Sequence, residues 1–98
     1  MEQSPSFQLN QKGNEYFSRG FYIEAYEYYA KALEIDRISG NQRMLVATLG
    51  NLGNICAVSG QRDEARTFYL EVLNLQKLLG DNRGISSTLT NLGNLHVD

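Results

Sequence analysis

With a single cysteine, Cys56, the chain cannot close an internal disulfide, and a reducing compartment is the simpler setting. A cytoplasmic, intracellular protein is the expectation. One histidine, His96, and that one thiol are too few ligands for a metal centre, and no spaced carboxylate cluster completes the set. Positive charge is not in surplus: nine Lys and Arg against eleven Asp and Glu give a net charge of −2, which disfavours nucleic acid and anionic membranes as partners. No apolar run approaches the roughly 18 residues that a bilayer-spanning helix needs. The opening Met1-Glu2-Gln3-Ser4-Pro5 lacks the positive-then-apolar order of a secretory signal. The glycines have no strand-to-helix phosphate-loop context, and no nucleophile, base and orienter are assembled. No cofactor, no small-molecule substrate and no enzymatic activity are therefore expected.

What is present is a repeat. Leu49-Gly50-Asn51-Leu52-Gly53-Asn54 returns as Leu89-Thr90-Asn91-Leu92-Gly93-Asn94, and Leu9-Asn10-Gln11-Lys12-Gly13-Asn14 is a weaker first copy. The period is forty residues without gaps, and it also aligns Gly20 with Gly60, Ala25 with Ala65, Tyr29 with Tyr69, Leu33 with Leu73 and Gly40 with Gly80. A fixed period of this size implies stacked units that cover one another's apolar faces. The division is repeat one at 6–45, repeat two at 46–85 and a partial repeat three at 86–98, all within one domain spanning 1–98.

Apolar residues recur at three- and four-residue steps, the helical period. Leu45, Leu49, Leu52, Ile55 and Cys56 line a helix over about 41–59, and Phe68, Tyr69, Val72, Leu73, Leu75, Leu78 and Leu79 line another over 62–79. Gly20, Gly40, Gly60 and Gly80 mark helix ends that need a left-handed residue. The only proline, Pro5, follows Ser4 as a first-turn proline follows an N-cap. Five helices result, in order A1, B1, A2, B2 and A3, with short connections that force antiparallel neighbours.

Leu52-Gly53 with Cys56, Ala65 and Tyr69, and more closely Gly13, Tyr16, Ala25 and Tyr29, resemble the pattern of tetratricopeptide repeats. The usual tryptophan and proline slots hold Leu9 and Arg37, or Leu49 and Lys77. Gly80-Asp81-x-Arg83-Gly84 followed by Asn91-Leu92-Gly93-Asn94 is similar to the forty-residue repeats of spindle-orientation adaptors that bind G-protein subunits. The resemblance implies an all-α, right-handed superhelical stack of antiparallel helix pairs, an α-solenoid of about two and a third repeats. It also implies a non-enzymatic scaffold that holds a protein or peptide partner in a concave groove lined by the A helices.

Gly50, Asn51, Gly53 and Asn54 together cost a helix roughly 3 kcal/mol relative to alanine. Close approach of B2 accounts for Gly53. Amides offer donor and acceptor to an extended backbone, so Asn14, Asn51, Asn54, Asn91 and Asn94 are candidates for a ladder along the groove. The alternative is that they bond to loops or to the next A helix. Phe7, Asn10, Asn14 and Phe17 fall on one stripe of A1 and extend the same surface. The basic slots of the family's carboxylate clamp hold Asn10, Ser87 and Asn91, so acidic peptide tails are disfavoured.

Tyr16, Cys56 and His96 share one slot and read as core-facing. Leu89, Leu92 and Leu95 on A3 have no B3 to cover them, which suggests self-association to a homo-oligomer, or further repeats beyond residue 98.

Overall fold

A computed structural model describes residues 4–95 as five helices, α1 (Pro5–Ser18), α2 (Tyr22–Ser39), α3 (Gln42–Val58), α4 (Arg62–Leu79) and α5 (Asn82–Asn94). Connections of two or three residues fold α1 onto α2 and α3 onto α4 as antiparallel hairpins, and α5 packs on α4. The hairpins stack through α2 on α3, with α1 also meeting α3. The result is a helical solenoid with extents of 41 × 33 × 19 Å.

Helix ends fall where local chemistry places them. Ser4 accepts a hydrogen bond from the Phe7 N–H at 3.1 Å, and Pro5 fills the first turn. Asn41 and Asp81 cap α3 and α5 in the same way, accepting from Met44 and Gly84. Gly40 and Gly80 close α2 and α4 at φ of 73° and 70°, a backbone region costly for any residue with a Cβ. Asp63 and Glu64 sit in the first turn of α4, where the helix dipole favours acids.

Two apolar clusters make the core. Ala25, Tyr29, Leu52 and Ile55 form the first, while Cys56, Ala65, Tyr69 and Leu95 form the second. Tyr26 and Phe68 pack against both and so join the repeats. Arg37 stands where the repeats that this sequence resembles carry proline, and α2 runs on to Ser39. Its guanidinium meets the Glu71 carboxylate through two hydrogen bonds of 2.8 and 3.0 Å, tying α2 to α4 at a half-exposed position.

The glycines inside the helices have distinct reasons. A Cβ on Gly53 would lie 2.6 Å from the Tyr69 ring, and one on Gly13 would likewise run into Tyr29. Among the described residues, Gly50 and Gly93 have nothing within 4 Å of the equivalent point. Close approach therefore explains the shared Gly13 and Gly53 slot and leaves Gly50 unexplained.

Candidate functional site

The tyrosine that seats on each glycine also reaches the asparagine beside it. Tyr69 donates its hydroxyl to Asn54 Oδ1 at 2.6 Å, and Tyr29 donates to Asn14 Oδ1 across the same fifteen-residue spacing. Both rings are buried, so each amide is anchored through its oxygen to a fixed point. Its NH2 group is the end left to face outward. Burial pushes the Tyr29 hydroxyl up to about 12 and raises that of Tyr69, so both stay protonated donors through the neutral range.

Asn51 is held from the opposite end. Its Nδ2 donates to Asn10 Oδ1 at 2.8 Å, leaving its own carbonyl oxygen as the outward acceptor. Asn10 then donates to the Ser6 carbonyl at 2.9 Å and to Thr48 Oγ1 at 2.8 Å, and Thr48 donates to Asp36 Oδ2. This relay of side chains runs in one direction, from the half-buried Asn51 to the fully buried Asp36. Thr88 donating to Gln76 Oε1 at 2.7 Å repeats its last link one period later.

Asn14, Phe17, Asn51 and Asn54 converge, with Tyr29 beneath them, on a shallow depression of about 140 Å³ between α1 and α3. Two outward NH2 groups and one outward carbonyl suit the alternating C=O and N–H of an extended chain. Phe17 meets Tyr22 edge-on at a ring separation of 5.5 Å. Tyr22 in turn lines a larger surface cavity of about 440 Å³ with Ile23, Tyr26, Glu27, Ile55 and Glu64 among its walls. Burial first, and then the Glu64 carboxyl, raise the Tyr26 hydroxyl.

Other sequence candidates lie elsewhere. Asn10, expected on the groove surface, is 6% exposed and serves the relay, because α1 packs on both α2 and α3 and buries a wide sector. Phe7 stands at the exposed start of α1. Asn91 and Asn94 are on α5, outside the depression, and Asn94 is exposed. Of the three leucines expected to be open, Leu89 is exposed, Leu92 half-buried and Leu95 buried against Cys56, Ala65 and Tyr69. Cys56 is buried, its thiol pushed up to about 11 by burial and then by the Glu64 carboxyl 3.8 Å away, so it is an inert core residue. His96 lies outside the described residues.

Sequence reasoning aligned Tyr29 with Tyr69 but missed the roles of both in orienting the amides. The signal was available: both tyrosines stand fifteen residues after an asparagine, in the same repeat slot. Asp36, Thr48, Gln76 and Thr88 were also missed, although Thr48 and Thr88 recur at forty residues and Asp36 and Gln76 share one repeat slot.

Hairpins of paired helices stacked in order, with small residues at the close approaches, define an α-solenoid repeat protein. A model of the tetratricopeptide repeat family matches residues 8–77 and again 44–98, and the chain belongs to that family. No individual curated protein matches it. The family fold is generally that of a non-enzymatic scaffold for protein partners. Among the described residues, no helix is long and apolar enough to cross a membrane, and no cluster of three or more His, Cys, Asp or Glu could hold a metal ion.

Proposed function

We propose that the wall formed by α1 and α3 holds an extended segment of another protein, with Asn14, Asn51 and Asn54 pairing to the segment's backbone. The observation that carries this reading is the fixed polarity of the amides. Asn14 and Asn54 are turned NH2-outward by buried tyrosines, while Asn51 is turned carbonyl-outward by Asn10. Amides oriented in advance lose less entropy on binding than free ones. Asn91 and Asn94 continue the ladder along α5.

The partner's side chains have a place beyond Phe17. The cavity lined by Tyr22, Ile23, Tyr26 and Ile55 also carries Glu27 and Glu64, which suits a long side chain ending in a cation. Gly80-Asp81-x-Arg83-Gly84, the stretch similar to the spindle-orientation adaptors, is accounted for by capping: Asp81 Oδ1 accepts from the Gly84 N–H at 3.0 Å. Recognition of a G-protein subunit would therefore have to come from the groove.

A peptide library selected on the wild-type chain tests the proposal. Selected peptides should lose about fivefold in affinity to Asn51→Ala and to Asn54→Ala, from ~1 kcal/mol per hydrogen bond. Asn74→Ala, exposed on α4, should leave affinity unchanged. Affinities for the groove variants within about twofold of wild type would refute the ladder.

A further inference from the structure

The cavity of about 440 Å³ beside Tyr22 lies at the joint between repeats one and two. Its walls come from the start of α2, the end of α3 and the start of α4, so every part of it falls between residues 22 and 64. Its volume is within the range of roughly 300–1,000 Å³ that ligand pockets occupy. Repetition alone does not produce its lining: the slots of Tyr22 and Tyr26 hold Arg62 and Arg66 one period later, and that of Glu27 holds Thr67.

Two carboxylates from different helices, Glu27 on α2 and Glu64 on α4, line the cavity, and no Lys or Arg among the described residues does. Neither carboxylate forms an ion pair among those residues. Lys31, one turn on from Glu27, lies instead over the Tyr28 ring at 5.8 Å. Helices α2 and α4 begin here and α3 ends here, so their dipoles leave a net of about half a positive charge against two full negative ones. The aromatic walls are already fixed: Tyr26 packs on both core clusters, and Tyr22 meets Phe17 edge-on. Through that Phe17 contact the cavity adjoins the depression that Asn14, Asn51 and Asn54 line.

We infer that this cavity takes an arginine side chain of the bound segment. The assignment deepens the reading of α1 and α3 as a wall for an extended chain, and rests on it for the source of the arginine. Guanidinium is the cation that fits: its face stacks on tyrosine, its N–H groups fork toward two carboxylates, and it sheds water more readily than an ammonium. A lysine presents one compact charge and uses only part of the same walls.

The probe is N-acetyl-arginine N-methylamide, titrated into the full chain with 13C-labelled isoleucine methyls. Ile23 and Ile55, which line the cavity, should shift along one saturable curve with a Kd of about 10 mM, while Ile38 and Ile85 should not. The lysine analogue should bind about fivefold more weakly, and the uncharged citrulline analogue at least about tenfold more weakly. Glu27→Gln combined with Glu64→Gln should weaken the arginine probe by about tenfold or more; both positions are exposed, so the fold should stand. Asn51→Ala with Asn54→Ala should leave the probe's Kd unchanged, which separates failure of the ladder from failure of the cavity. In a library-selected peptide, arginine replaced by citrulline should cost about tenfold on the wild-type chain and under about twofold on the double glutamine variant. No saturable shift up to about 100 mM, equal binding of the lysine or citrulline analogue, or equal binding to the double glutamine variant overturns the assignment. So do selected peptides that share no basic position.

Discussion

Replacing Gly53 with alanine is expected to destabilise the chain by about 1–2 kcal/mol, although alanine is the better helix former by about 1 kcal/mol. The added methyl would lie 2.6 Å from the Tyr69 ring, which is 4% exposed and tethered through its hydroxyl to Asn54. The ring cannot yield without giving up that bond or disturbing Ala65 and Leu95 beside it. Gly50→Ala, three residues earlier on the same helix, should instead stabilise by up to about 1 kcal/mol, because its methyl meets nothing. Melting temperatures of the two variants should differ by roughly 10–15 °C. If Gly53→Ala melted as high as wild type, the close approach would not be the reason for glycine in that slot.

Thr48→Val is expected to cost about 2–4 kcal/mol, a large share of the stability of so small a domain. Valine fits the space but removes the one hydroxyl that accepts from Asn10 and donates to Asp36. All three residues are buried, so water cannot readily replace the lost partners. The carboxyl is the sharper loss, because Asp36 Oδ1 has no hydrogen-bond partner among the described residues. Thr88→Val strands only the amide oxygen of Gln76 and should cost about 1–2 kcal/mol. Asp36→Leu combined with Thr48→Val should be milder than Thr48→Val alone, since removing both ends of a buried pair leaves less unsatisfied. Urea unfolding of the three variants gives the order directly. A Thr48→Val midpoint indistinguishable from wild type would mean that the relay does not hold the repeats together.

The architecture was legible because repetition reports it without any alignment. The expected bounds of α4 match those observed, α3 differs by one residue at each end, and the four turn glycines all have φ between 70° and 82°. The groove was only partly legible. Phe7, Asn10, Asn14 and Phe17 share a stripe by spacing, yet a stripe does not say how wide a sector neighbouring helices bury. α1 is covered from two sides, so Asn10 goes inside while Asn14 stays at the surface. The alternative reading of the amides holds for Asn51, which bonds across to Asn10 on the neighbouring A helix. What periodicity cannot reveal is which end of an amide is already engaged, since that depends on contacts across fifteen or forty-one residues.

Side-chain amide resonances follow the central claim most directly. In a 15N-labelled chain titrated with a library-selected peptide, the NH2 signals of Asn14 and Asn54 should shift with the binding curve, and those of the buried Asn10 should not. Saturable binding that leaves the Asn14 and Asn54 amides unmoved, while resonances on the outer faces of α2 and α4 respond, would contradict recognition through the α1–α3 wall.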